Sequence, residues 1–206
     1  FLQNHDQIGN RAFGERLTTL TEPAALEAAL ALQMLCPQIP LFFMGEETAS
    51  RSPFLFFTDH APNLAEIVCE GRRQEFASFA AFADPAHRAR IPDPNAEATF
   101  NASAPQPDPK LGQARYALYQ RLIALRFKEI VPRLSGARSI GAEVIGPKAV
   151  RAAWRLSDRS VLTIACNLDH AGVPFQIPSA PQIFVSSTLR DELPGYCTAV
   201  FLGLEQ

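Results

Sequence analysis

The chain has 206 residues, 47% of them hydrophobic, and a formal charge of -2 from 19 basic and 21 acidic side chains. At about 100–200 residues per domain this allows one large domain or two small ones, with enough apolar surface for a core, and it excludes disorder over most of the length. The charge balance leaves no basic excess for a phosphate backbone, and no apolar run approaches the ~20 residues of a membrane span, so neither a nucleic-acid nor a membrane partner is expected.

The chain opens on Phe1-Leu2-Gln3-Asn4-His5, with neither an initiator Met nor a basic region followed by an apolar stretch. It reads as a chain entered inside an element, and a fragment is expected. Phe1–Asn4 has the texture of the end of a buried strand. Asp6–Thr21, with Gly9 and Gly14, reads as a long loop. Thr21-Glu22-Pro23 predicts a helix start with a hydroxyl cap and Pro in the first turn. The Ala- and Leu-rich run 24–35 predicts a helix buried on more than one side, stopped by Pro37. Ile39–Met44 is short, apolar and bounded by breakers, the pattern of a strand buried on both faces.

Strand, helix and strand in that order suggest a parallel α/β architecture, in which function sits on loops after the carboxyl ends of strands. A second loop then runs from Glu46 to about Glu70 and holds the aromatic cluster Ser52–His60. Gly71–Phe82 has helical spacing. Six prolines between 83 and 110 forbid long regular structure there. Helix resumes over 111–131, with Ala114, Leu118, Leu122 and Leu125 as its apolar stripe. From Ser139 the texture changes to short strands near 140–145, 149–156, 161–168, 173–177, 183–187 and 198–204, separated by turn signals. This predicts an antiparallel sandwich.

The expected fold class is α/β plus all-β, with residues 1–135 and 136–206 as separate domains. Two parallel strands cannot close a sheet, so the missing ones must come from sequence before Phe1 or from a partner chain. The four cysteines are too widely spaced for a metal or redox pair and read as reduced core thiols in a cytoplasmic protein. No spacing suggests a metal site, and no cofactor is expected. His87 and His170 read as solvent-exposed loop residues, Asp158 and Asp169 as turn residues, and Arg72, Arg73 and Glu75 as a solvated or ion-paired helix face.

Taken alone, His5-Asp6 is a carboxylate at a strand end, which stabilises charge in a site or caps a loop. Glu46-Glu47 is open in the same way. Together they say more. Phe1-Leu2-Gln3-Asn4-His5-Asp6-Gln7-Ile8-Gly9-Asn10-Arg11 resembles the strand-seven motif of the α-amylase superfamily, glycoside hydrolase family 13. Pro40–Glu47 resembles that family's strand-eight ending. Pro53–His60 and Gly71–Phe76 add similarity to its trehalose-releasing members.

The resemblance implies the C-terminal part of a (β/α)8 TIM barrel, then a β-sandwich. It implies retaining cleavage of the α-1,4 bond next to the terminal trehalose of a maltooligosyl trehalose. A branching enzyme, an amylase or a non-catalytic α-glucan-binding module is the alternative. Asp6 matches the family's third carboxylate, which stabilises the transition state, and His5 the imidazole on the same sugar. Asn4, Gln7, Arg11, Glu46, Asp59 and His60 are the further substrate-binding candidates. Arg11 either orients Asp6 or sits on the surface, and Phe54, Phe56 and Phe57 either fill space or face sugar. No position matches the family's nucleophile or acid/base, so this chain alone is expected to be inactive and to need the earlier barrel portion. The family's Trp after Gly-Glu-Glu is replaced here by Thr48, and the connector after Phe100 is proline-rich, so sugar contacts from those loops are not carried over.

Overall fold

A computed structural model describes residues 1–204. Among these, the helices are α1 (His5–Gly9), α2 (Leu17–Leu20), α3 (Pro23–Leu35), α4 (Pro62–Glu75), α5 (Pro85–Arg88), α6 (Glu97–Ala102) and α7 (Gly112–Leu125). The strands are β1 (Arg138–Gly146), β2 (Ala149–Arg155), β3 (Ser160–Asn167), β4 (Val173–Pro174), β5 (Gln182–Val185), β6 (Glu192–Leu193) and β7 (Cys197–Leu204). No helix among the described residues is long and apolar enough to cross a membrane.

The chain divides into two compact units: residues 1–2, 21–41 and 116–206 form one, and residues 3–20 and 42–115 the other.

In the first unit, β1, β2, β3, β7 and β5 form a five-stranded antiparallel sheet in that order, and β4 and β6 pair as a two-stranded ribbon. Alternation splits the sheet residues between two faces. Ala165, Cys197, Ala199 and Phe201 point to one face and share a buried cluster with Val173, Phe175 and Leu193. Ile164, Leu162, Val200 and Leu202 are also buried, and Thr198 on their face donates 2.7 Å to the Ala28 carbonyl of α3. The sheet thus lies between the ribbon and helix α3, which explains why β3 is buried at nearly every residue. The expected sandwich resolves into one large sheet with a ribbon on one face and a helix on the other. Asn167 holds the ribbon loops: its Nδ2 donates to the Ala171 and Pro194 carbonyls at 2.8 and 3.1 Å, and its Oδ1 accepts from Asp169 N at 2.9 Å.

Helix α3 is buried on several sides, as its composition predicts, with Ala28, Ala31, Met34 and Leu35 inaccessible. Its N-cap is Glu22, without a side-chain bond, so Thr21 does not cap it. At the other end Arg126 donates to the carbonyls of Met34 (2.7 Å), Cys36 (2.6 Å) and Gln38 (2.9 Å). A helix terminus leaves carbonyls without intrahelical partners, and one guanidinium satisfies several. This places arginine on the buried face of α7 and its continuation. That face is Arg115, Tyr119, Leu122 and Arg126, one position round from the expected stripe, and Ala114 is exposed. After Leu125 the helix widens into a π-type turn over 126–130 and ends in a short 3₁₀ turn at 131–133.

Several expectations are corrected. The runs 1–4 and 39–44 are not strands. Ile39, Leu41 and Met44 are 92%, 51% and 52% exposed instead of buried. A strand exists only against a neighbouring strand, and none of the described residues lies beside these runs as one. The long loop 6–21 contains α1 and α2. The helix expected at 71–82 starts at Pro62, a first-turn proline like Pro23, and ends at Glu75. His87 belongs to α5, is half-buried, and stacks on Phe82 with ring centroids 5.2 Å apart. His170 is exposed, and Asp158 and Asp169 accept backbone bonds within their turns. All four cysteines are free, and burial pushes each thiol upward from its ordinary range.

Replacing Arg126 by Leu strands the carbonyls at the end of α3. The expected loss is about 2–4 kcal/mol of stability, read by scanning calorimetry; an unchanged melting temperature contradicts this role.

Candidate active-site loops

The candidate site residues all lie in the second unit, on loops held by two buried arginines. Asn4 has extended backbone and N-caps α1, its Oδ1 accepting from Gln7 N at 2.8 Å. The cap turns the chain so that His5 and Asp6 project outward: their side chains are 68% and 70% exposed, with His5 Nε2 3.3 Å from Asp6 Oδ1. Gln7 is exposed on the same short helix. Arg11 pairs with Glu15 at 3.1 Å on the surface, which answers the choice left open for it.

The back of α1 is closed by Arg72. Its Nη2 donates to the carbonyls of Gly9 (2.6 Å) and Arg11 (3.1 Å), and its Nη1 to Glu75 (2.8 Å). The guanidinium lies over the rings of Phe56 and Phe76, 5.1 and 4.7 Å from their centroids. Arg72 is therefore ion-paired as expected but buried, not solvated.

Arg16 joins the two loops. It is 1% exposed and donates Nε to Ser52 O (2.6 Å) and Nη1 to Met44 O (2.7 Å), with its guanidinium carbon 5.2 Å from the Phe43 ring centroid. Burial lowers its pKa, and the carboxylates of Glu46 and Glu47 oppose that shift. Gly14 adds a second tie. Its carbonyl accepts from Phe54 N at 2.9 Å, it has φ +59°, and a Cβ there would sit 2.5 Å from Phe54 O. No other residue fits so close an approach at that φ.

The second loop turns at Gly45, φ +87°. Glu46 folds inward, its Oε1 accepting from Phe43 N at 2.8 Å, and Glu47 Oε2 accepts from Gly45 N at 3.0 Å. Glu46 is buried and serves its own turn. Beyond it, Phe43, Phe54, Phe57 and Phe100 form an edge-to-face ladder with centroids 4.9, 5.7 and 5.1 Å apart. A Cβ on Gly9 would touch the Phe54 ring at 3.8 Å, so the ladder abuts α1. The cluster thus packs against the loops, while Phe56 and Phe100 keep exposed surface.

Asp59 and His60 are exposed at the far end. Asn95 holds their backbone: its Oδ1 accepts from Thr58 Oγ1 (2.9 Å) and His60 N (3.3 Å), and its Nδ2 donates to Ala65 O (3.1 Å). Asp59 lines an open cavity of about 620 Å³ with Phe57, Thr58, Asn95, Ala96, Glu97 and Phe100. The structure therefore gathers Asn4, His5, Asp6 and Gln7 on α1, turns Glu46 inward, and sets Asp59 on a separate cavity within the unit. Sequence reasoning missed Arg16, Asn95 and Phe100. A single sequence does not distinguish a buried arginine from a solvated one. Asn95 between Pro94 and Ala96 reads only as a turn.

Known proteins give this arrangement a context. The chain is 42% identical over 149 residues to the malto-oligosyltrehalose trehalohydrolase of Arthrobacter ramosus, covering 69% of this chain and 24% of that protein. It is 33% identical over 217 aligned positions to the one from Mycobacterium tuberculosis, covering 98% of this chain and 34% of that protein. The chain belongs to the malto-oligosyltrehalose trehalohydrolase family of the α-amylase superfamily. It corresponds to a C-terminal part of these proteins, spanning about a third or less of the length of the curated relatives it matches. A family model described as a domain of unknown function, DUF3459, matches residues 137–201. Among solved structures, a Salmonella typhimurium protein designated an α-amylase candidate superposes with a TM-score of 0.84 at 35% identity, covering 97% of this chain and 34% of that one. A trehalulose synthase, at TM-score 0.57 and 17% identity, shares the fold alone.

Arg16→Leu removes both hydrogen bonds from its guanidinium to the second loop and leaves the Gly14–Phe54 bond. The expected cost is about 2–4 kcal/mol in chemical denaturation, together with faster amide exchange at residues 44–52; a change below about 1 kcal/mol contradicts the tie.

Proposed function

We propose that the full-length protein hydrolyses the α-1,4-glucosidic bond next to the terminal trehalose of a maltooligosyl trehalose, releasing trehalose with retained configuration. The observation that carries this reading is the exposed His5–Asp6 pair on a capped, arginine-backed turn, in a chain of the trehalohydrolase family. Asp6 is read as the transition-state stabiliser. A carboxylate that accepts hydrogen bonds from vicinal sugar hydroxyls binds more tightly as positive charge develops at the neighbouring carbon. His5 lies beside it to bond the same sugar, and α1 supplies Asn4 and Gln7 at its edge. The reading of Arg11 as the residue that orients Asp6 is not carried forward, because Arg11 pairs with Glu15.

On this reading, residues 1–135 are the closing portion of a (β/α)8 barrel and 136–206 a β-rich C-terminal domain. The earlier barrel portion supplies the nucleophile and the acid/base, which retaining glycosidases hold about 5 Å apart. The exposed Ile39 and Leu41, and the small cavity of about 200 Å³ formed by Phe1, Leu2, Leu32, Ile39 and their neighbours, are what such a portion covers. This chain alone then hydrolyses nothing. Four free cysteines fit a reducing cytoplasm, and the reaction belongs to trehalose formation. A second reading, an amylase acting on plain maltooligosaccharides, is favoured by the likeness to the Salmonella protein.

Chromatography of products from maltotriosyl trehalose tests the choice. The expected products of the full-length protein are trehalose and maltotriose. An amylase or a branching enzyme would release no free trehalose, and that outcome would sink the proposal.

A further inference from the structure

The cavity beside Asp59 also presents Phe57, Glu97 and Phe100. Its walls are two aromatic rings and two carboxylates. Phe100 is 58% exposed, and its ring meets Phe57 edge to face at 5.1 Å. Asp59 and Glu97 are exposed at the rim, and the volume of about 620 Å³ is that of a small-molecule cleft. The frame is fixed on both sides. Thr58 N donates to Pro94 O at 2.8 Å, and Asn95 holds Thr58 and His60. Below, Ser103 Oγ donates to Thr99 O (2.8 Å) and accepts from Leu55 N (3.1 Å), tying α6 to the 53–60 loop.

An exposed phenylalanine on a rigid frame costs apolar surface in water unless a ligand covers it. The apolar C–H face of a pyranose suits the ring, and its equatorial hydroxyls suit carboxylates that only accept. Two carboxylates with no lining cation disfavour a phosphate or another anion. The Phe57 ring that lines the cavity packs on Phe54, which in turn abuts α1, so the cavity and the turn bearing His5 and Asp6 stand on one aromatic ladder. We infer that Phe100, Phe57, Asp59 and Glu97 form a subsite for one glucosyl unit of the α-1,4-linked chain, away from the bond that is cleaved. The inference rests on the α-glucan reading above and adds Phe100 and Glu97 to it.

The test is calorimetric titration of the full-length protein and its variants with maltoheptaose. Phe100→Ala is expected to weaken binding about fivefold or more, Glu97→Gln about threefold or more, and Phe100→Trp to stay within about twofold of wild type, on the scale of single aromatic and hydrogen-bond contacts. Melting curves confirm that each variant is folded, and if Phe100→Ala is not, Glu97→Gln and Phe100→Trp decide. Unchanged affinity in Glu97→Gln and Phe100→Ala overturns the subsite while trehalose release by the wild type leaves the parent reading intact. Absence of trehalose release with the subsite effects present overturns the parent reading instead.

Discussion

The guanidinium of Arg16, held between the carbonyls of Met44 and Ser52 and against the Phe43 ring, sets the relation between the two loops of the candidate site. Over much of its length neither loop is part of a regular element, so side chains must fix it. Hydrogen bonds from a charged donor to backbone acceptors are stronger than neutral ones, and burial makes leaving them unmade expensive. With Arg16 in place, Gly14 and Phe54 meet, the aromatic ladder stands on Phe54, and α1 rests against it with Arg72 behind. His5 and Asp6 then face outward on a turn whose cap is made by Asn4 and whose last carbonyl is held by Arg72.

The β-rich part follows a different logic. Its order comes from alternation: one face of β3 and β7 meets the ribbon, the other meets α3. The polar groups that alternation buries, Asn167 and Thr198, are each bonded to backbone carbonyls. Burial of polar groups is tolerated on that condition. Two arginines, Arg126 and Arg72, likewise donate to carbonyls left over at helix ends.

These particulars explain what was legible in the sequence. Helix α3 was, because Ala-rich composition, Pro23 and Pro37 act locally. Strands β1, β2, β3 and β7 were, because alternation and turn residues are local signals too. The runs 1–4 and 39–44 read as strands for the same reason, yet pairing is a property of neighbours and none stands beside them. The stripe of α7 was misplaced by one position, since hydrophobic counting gives an arginine to solvent while tertiary carbonyls claim it. In the candidate site, His5 and Asp6 were legible through a motif. Glu46 was legible as a residue type but not as a side chain turned inward, and Asn95 and Phe100 carry no local signal at all.

The role proposed for Asp6, on its short exposed turn, is the point on which the functional reading stands or falls. The most direct measurement is the turnover of maltotriosyl trehalose by full-length Asp6→Asn, beside the wild type and with folding checked by melting temperature. A lost stabilising carboxylate predicts a fall in kcat of about 10²–10³-fold or more with little change in stability. A kcat within a few-fold of wild type would contradict the role of Asp6.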